Sequence, residues 1–235
     1  MGEEARYAIY FVPPVDSRLY QFGCSILGYD CYTGEAAPRS ADFGVAAADW
    51  DKLTEEPRRY GFHATLKAPF HLSRACTEGQ LIGAVHGFAG LSHSVPTIAP
   101  IIRMLSGFAA IVPERHEAAI GALATKCTTM FDGFRAPTSP QERAQRLALG
   151  LNERQIQNLD RWGYPFLFSE FRFHLTLTGK IRSDRCEEVL ASLRRTFDRT
   201  CGSQPIAIDR LALMRQDDRN ANFRVILQAP LMPAA

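Results

Sequence analysis

The sequence predicts an α+β protein made of two pseudo-symmetric lobes around a central cleft, each an antiparallel sheet with packed helices. Three observations predict it. The chain has 235 residues, 46% hydrophobic and 22% charged, enough for one sizeable globular unit or two small lobes packed together. Its halves each read strand, helix, strand, strand. Each half also carries nearly the same pentapeptide in the strand before its helix: Phe62-His63-Ala64-Thr65-Leu66 and Phe173-His174-Leu175-Thr176-Leu177. The expected organisation is a single bilobal domain over 1–235. Lobe one covers about 5–131, a helical connector about 139–163 and lobe two about 166–230.

The elements follow from local pattern. Tyr7 to Val12 is an aromatic and β-branched run stopped by Pro13-Pro14, hence a strand. Ser17 to Leu27 spaces Leu19, Phe22, Ile26 and Leu27 on one helical face, and Gly28 stops it. From Tyr29 to about Asp51 the chain is mixed and reads as an irregular excursion over a pocket. Tyr60 to Phe70 reads as a strand. Thr77-x-x-Gln80 is a capping box opening a helix. Thr97–Leu105 and Phe108–Val112 are strands joined at Ser106-Gly107, and Pro113 is placed to start the next helix. Ser139 and Asn152 cap two short connector helices, which end near Gly150 and Gly163. Phe166 to Ile181 reads as a strand and Ser183 as the cap of a helix. Ile206–Met214 and Phe223–Leu227 close the chain as strands.

Composition excludes several classes. The net charge of +2 is too balanced for wholesale binding to nucleic acid or an anionic membrane. No apolar run approaches the ~18 residues of a membrane span. The Met1-Gly2-Glu3-Glu4 start is not a secretory signal, and Arg6 stands where a myristoylation pattern needs Ser or Thr. The six cysteines form no C-x-x-C pair and read as reduced thiols, most of them small core side chains, in a cytoplasmic protein. No H-E-x-x-H, P-loop or Rossmann glycine pattern occurs. No cofactor and no metal is expected.

Strand geometry explains the pentapeptides. Side chains alternate between faces, so His63 and Thr65 share one face, as do His174 and Thr176, while the apolar residues anchor the other. The same parity adds Lys67 to the first polar face and Arg172 and Thr178 to the second. Two such strands around a two-fold axis bring two imidazoles, two hydroxyls and cationic groups into one cleft. A phosphodiester fits that set. One histidine acts as base on water and the other as acid on the leaving oxygen, while hydroxyls and a cation hold the non-bridging oxygens.

At these residues the chain resembles the 2H phosphoesterase superfamily, which is named for two His-x-Thr/Ser motifs. The segments Tyr60–Phe70 and Glu170–Gly179, with the opening Arg6–Phe11, are most similar to the phosphonate-metabolism-associated branch found beside carbon–phosphorus lyase genes. The resemblance implies a bilobal α+β fold and metal-independent opening of a cyclic phosphate. It implies His63 and His174 as the acid–base pair and Thr65 and Thr176 as phosphate ligands. It further implies a small phosphate ester as substrate, a ribosyl cyclic phosphate or a related intermediate.

Other residues have ordinary structural roles open to them beside functional ones. Lys67 is the leading cation candidate, Arg172 a weaker one, and Tyr60 a stacking wall for the substrate. Tyr7 and Tyr10 have opposite parity, so at most one faces the cleft. Phe70-His71-Leu72-Ser73 mimics the motif but follows Pro69, which places His71 on a loop or rim. His86 and His116 fall in predicted helices and His93 in a loop. Two other functions stay open: an RNA-end or nucleotide 2′,3′-cyclic phosphodiesterase or 2′-5′ ligase-like enzyme, and a non-catalytic nucleotide or RNA-end binding module. Extended nucleic acid is not expected as a partner, whereas RNA ends remain admissible.

Overall fold

The computed structural model describes residues 5–39, 46–202 and 204–234. The tetrapeptide start and residues 40–45 of the predicted excursion lie outside them. Seven strands form one antiparallel sheet: β1 (Arg6–Phe11), β2 (Ala64–His71), β3 (Pro100–Leu105), β4 (Phe108–Pro113), β5 (Leu175–Lys180), β6 (Arg210–Gln216) and β7 (Arg224–Pro230). Their spatial order is β7-β6-β1-β2-β5-β4-β3. The fold is α+β, with seven α-helices among the described residues.

β2 and β5 share a single register pair, Ala64 with Leu175, which is the first residue of both strands. From that pair the two strands run in opposite directions. The sheet is therefore a four-stranded half and a three-stranded half joined at one seam. Each half joins strands from distant parts of the chain: β1 and β2 lie beside β6 and β7, and β5 lies beside β4 and β3. The sheet's two sides thus do not follow the boundaries 5–131 and 166–230; the chain exchanges strands across them.

The helices are α1 (Arg18–Leu27), α2 (Ala47–Arg58), α3 (Glu78–Ala89), α4 (Ala118–Met130), α5 (Pro140–Leu147), α6 (Glu153–Trp162) and α7 (Cys186–Thr200). Caps read from sequence form as chemistry requires. Ser17 Oγ accepts the Tyr20 amide at 3.1 Å, and Gly28 ends α1 in the left-handed region at φ 69. Thr77/Gln80, Ser139/Glu142 and Asn152/Gln155 each make a reciprocal capping box.

Helices α1, α3 and α4 cover the sheet face opposite His63. The Phe62 ring lies against Gly23 of α1 so closely that a Cβ there would sit 2.0 Å from it. Tyr7 donates its hydroxyl to Glu78 of α3 at 2.7 Å. Leu66, Leu175, Leu177 and Val189 are part of the core on this side. The other face carries the polar motif residues and, packed beside them, the buried Tyr10.

Several boundaries differ from expectation, each for a local reason. β2 begins at Ala64, because Tyr60 and Gly61 are used in the turn that ends α2, with their amides on Pro57 and Arg58 carbonyls. Within 166–181 only β5 is strand. Phe168–Glu170 is a 3-10 turn, and Asn158 of α6 donates to the carbonyls of Pro165 and Leu167, which binds that stretch to the connector. Pro113 pairs with Pro100 as the last residue of β4, so α4 starts at Ala118 instead. That leaves His116 exposed ahead of the helix rather than inside it. Ser183 opens a 3-10 turn that leads into α7. The described part of the excursion is more ordered than expected: Tyr29–Asp30 pairs with Glu35–Ala36, and α2 follows, with the indole of Trp50 donating to Ile26 O at 3.0 Å. Among the described residues no helix is long and apolar enough to cross a membrane. All six cysteines are free thiols, and Cys24, Cys31 and Cys127 are buried.

Candidate active site

The seam between β2 and β5 brings the two motifs together. Continuing the Ala64–Leu175 register one residue each way sets His63 across from Thr176 and Thr65 across from His174. Directly opposed side chains in an antiparallel pair have Cβ atoms about 5 Å apart, and diagonal neighbours such as His63 and His174 about 7–8 Å. The two imidazoles thus flank a gap suited to one phosphoryl group, with a threonine hydroxyl beside each. Both histidines are half-buried, on the face free of α1, α3 and α4.

The rings are held alike. His63 Nδ1 donates to Gly61 O at 3.0 Å, and His174 Nδ1 donates to Arg172 O at 2.8 Å. A carbonyl only accepts, so Nδ1 carries the hydrogen in both neutral rings and each Nε2 presents its lone pair. The Thr65 hydroxyl reaches His63 Nε2 at 3.3 Å. Gly61 has φ +69, and a Cβ on it would fall 2.7 Å from Cys31 Cβ, so glycine is required for the carbonyl to face the ring.

Burial pushes the His63 imidazole down to about 4; the Gly61 carbonyl opposes this and the His174 charge adds to it. Burial lowers His174 as well, against the pull of the Arg172 carbonyl. Both rings are therefore neutral acceptors at neutral pH. A bound anion favours the imidazolium form, so a phosphate supplies the charge that lets one of them act as a donor.

The other sequence candidates fall in different places. Tyr60 stacks on Phe223, with centroids 5.5 Å apart, and its ring lies 6.2 Å from His63. Lys67 does not join the histidines. A register shift between Ile9 and Tyr10 breaks the alternation of β2 and turns Lys67 to the helix side, opposite Ile9. There it is 3% exposed and reaches Thr128 O at 3.2 Å and Asp132 Oδ1 at 3.3 Å. Arg172 is exposed and lines a separate groove with Arg103 and Arg115; only its carbonyl serves the site. Thr178 is fully buried, its hydroxyl on the Ala109 amide. His71 sits at the rim, 3.7 Å from Glu142, and His93 is buried with its Nε2 on Phe88 O.

The Lys67 placement has an energetic consequence. Removing one partner of a buried ion pair strands the other charge, whereas replacing the lysine by a similar apolar chain removes the cost of burying it. Asp132→Asn is expected to destabilise the fold by ~3 kcal/mol and Lys67→Met by clearly less, as read from urea unfolding midpoints.

Sequence reasoning left Tyr10 undecided and missed Arg6, Arg146 and Tyr164. Tyr10 lies face to face with His63, centroids 3.8 Å apart and planes 19° apart. Parity left either Tyr7 or Tyr10 for the cleft, and the Tyr7–Glu78 bond settles which. Arg6 on the same face of β1 lies over the Phe223 ring at 5.4 Å. From the connector, Arg146 of α5 lies over Tyr164 at 5.1 Å, and Tyr164 in turn is near enough to Tyr10 to raise its pKa. No spacing rule links residues 146 and 164 to a strand at residue 10.

Comparison with known proteins places these features. The chain is 36% identical over 222 residues to a protein of Janthinobacterium sp. (strain Marseille) named ribose 1,5-bisphosphate phosphokinase PhnN, covering 93% of this chain and 49% of that protein. It is 33% identical over 221 residues to the protein of the same name from Laribacter hongkongensis (strain HLHK9), covering 94% and 50%. The chain thus spans about half the length of the curated relatives it matches. Among solved structures it overlays on E. coli LigT complexed with NADP+ at a TM-score of 0.41 and 12% identity, over 98% of this chain and 99% of that one. It overlays on a second structure, described as a phosphoesterase, at a TM-score of 0.41 and 14% identity over the same shares. Those overlays are too loose to inform the fold or the chemistry. The matched stretch of a sequence family runs from residue 65, inside the first motif, to residue 224, at the start of β7, and so takes in the second motif and the connector. By that match the chain belongs to the DUF1045 family, described as proteins of unknown function.

Proposed function

We propose that this chain is a metal-independent phosphodiesterase that opens a small cyclic phosphate ester. The observation that carries the reading is the seam itself: two imidazoles with matched tautomers, each beside a threonine of the other motif. In the reaction one Nε2 takes a proton from water as its oxygen bonds to phosphorus. The P–O bond on the far side breaks, and the other histidine's Nε2–H protonates the leaving oxygen. Thr65 and Thr176 donate to the non-bridging oxygens, where charge accumulates. Each proton taken up is matched by one given, so the pair finishes with its protons exchanged.

Several features favour a compact substrate. Tyr60 borders His63 and is backed by the buried Phe223 and Tyr10, with Arg6 over Phe223. The relatives' name points to a ribosyl phosphate as the substrate class. The phosphokinase of that name describes proteins twice as long, and this chain has no glycine-rich P-loop pattern of its own. Lys67 and Arg172 are left out of the phosphate set by their positions.

The test is a panel assay with EDTA present. It would contain nucleoside 2′,3′-cyclic phosphates, ribose 1,2-cyclic phosphate 5-phosphate and a short RNA ending in a cyclic phosphate, followed by phosphorus NMR. Turnover of the ribosyl compound at an EDTA-insensitive rate is expected. Turnover only of the RNA end would move the assignment to an RNA-end phosphodiesterase. Loss with EDTA and rescue by a divalent ion would overturn the metal-free mechanism. No turnover of any compound would favour a binding role.

A further inference from the structure

We infer that Tyr10 is a positioning residue that makes His63 the proton acceptor of the histidine pair. The inference rests on the hydrolytic reading above and adds the division of labour that the near two-fold arrangement conceals.

The two histidines are alike in sequence and unlike in surroundings. His63 is held by Gly61 O on Nδ1 and by the Tyr10 ring parallel to its face at 3.8 Å; the Thr65 hydroxyl, which donates to Nε2 before substrate binds, turns to the phosphoryl oxygen and leaves that lone pair free for water. His174 has one bond, to Arg172 O, and its aromatic neighbour Phe108 stands tilted by 53° at 5.6 Å. Among the described residues no hydroxyl bonds its Nε2. An acceptor must be neutral, with its lone pair already aimed, before water and ester meet; restricting its ring in advance lowers the barrier. A donor must take up a proton with the substrate and then follow the leaving oxygen, which a loosely held ring does more readily.

Tyr10 is itself fixed. It is 1% exposed, lies opposite Thr65 in β2 and Ala212 in β6, and has Phe223 at 6.2 Å. Burial, with Tyr60 and Tyr164 nearby, raises its phenol well above the ordinary value, so it stays protonated and takes no part in proton transfer. What it offers His63 is a ring face. The other titratable groups around His63 are His174 across the seam, Tyr60 before β2, Tyr164 beyond α6 and Arg6 further back on β1. Of these, only His174 and Arg6 become cations, and a cation disfavours a second positive charge on His63.

The sign of the pH dependence follows. A base works only when deprotonated, so kcat/KM falls as pH drops through the pKa of His63. With Tyr10 in place that limb lies well below the ordinary histidine value of ~6.5. Replacing the ring by a chain that admits water relieves the burial and moves the limb upward.

The experiment compares Tyr10→Phe, which keeps the ring, with Tyr10→Leu, which removes it; should Tyr10→Leu fail to fold, Tyr10→Met takes its place. Nitrogen-15 NMR titration of the imidazoles reads the His63 tautomer and pKa without any substrate. Kinetics use the compound turned over in the panel. In Tyr10→Leu, kcat is expected to fall at least ~10-fold with KM nearly unchanged, and the His63 titration and the acidic limb are expected to rise together towards ~6.5. Tyr10→Phe is expected to restore both. A second arm uses bis(p-nitrophenyl) phosphate, whose leaving phenolate needs little protonation. There His174→Ala is expected to regain much of its lost rate and His63→Ala to regain none.

An unchanged His63 titration and kcat in Tyr10→Leu would overturn the positioning role. Equal losses in Tyr10→Phe and Tyr10→Leu would shift the effect to the hydroxyl and overturn it too. Recovery by His63→Ala in the second arm would reverse the acceptor and donor. If the wild-type chain turns over nothing, the hydrolytic reading and the acceptor role fall together, while the NMR arm still decides whether Tyr10 holds the ring.

Discussion

His63→Ala and His174→Ala are each expected to lower kcat at least ~10²-fold while leaving the unfolding midpoint close to that of the wild type. The size follows from the work each ring does, since one misplaced proton transfer raises the barrier by ~3 kcal/mol or more. Stability changes little for His174→Ala, whose ring makes one bond, to Arg172 O, and His63→Ala is expected to cost no more than ~1 kcal/mol for its Gly61 bond and its stack on Tyr10. The double variant is expected to be scarcely slower than either single one, because the two residues act as a unit. Strictly multiplicative losses would mean that the rings act in separate steps. A variant that unfolds, with its residual folded fraction fully active, would make the histidines packing residues and end the catalytic reading.

Gly23→Ala is expected to destabilise the fold as strongly as Asp132→Asn. In an exposed helix interior this change gains about 1 kcal/mol, because alanine is the better helix former. At residue 23 the sign reverses. The new Cβ would lie 2.0 Å from Phe62 Cγ, and Phe62 is fully buried beneath His63. Either α1 lifts from the sheet or the Phe62 ring is displaced, and its neighbour His63 moves with it. A loss of ~3 kcal/mol is expected, equivalent to roughly 6–12 °C in melting temperature for a chain of this size. Activity below the melting temperature should fall as well. Adding Phe62→Leu should recover part of the stability, since a smaller side chain relieves the contact. A melting temperature unchanged in Gly23→Ala would mean that the helix and the ring are not packed as described.

Much of the site's local geometry was legible because it depends on neighbours in the chain. Alternation along an extended segment puts His63 with Thr65 on one face and Phe62 with Ala64 on the other, whatever the rest of the fold does. The reciprocal caps at Thr77, Ser139 and Asn152 form between residues three apart, and they were readable for the same reason. Lys67 shows where that logic stops. Parity carried it to the histidine face, but a bulge against β1 turned it over, and Asp132 and Thr128 then received it. A bulge is set by how two strands fit each other, and neither strand encodes it alone. Pro113 is a similar case: its fixed backbone angle suits both a helix start and an edge of β4, and pairing with Pro100 decided between them.

Two matching His-x-Thr segments, the amphipathic character of each and strongly capped helices between them are written in local residue order. The folded chain settles that the two segments meet at a single pair, Ala64 with Leu175, so that each histidine faces the other motif's threonine. It also settles that the two halves of the chain exchange strands across that seam, and that Tyr10 rather than Lys67 stands beside His63. The physical reason is range. Alternation and capping are settled within a few covalent bonds, whereas register, bulges and ring stacking between distant segments depend on how every apolar side chain packs at once.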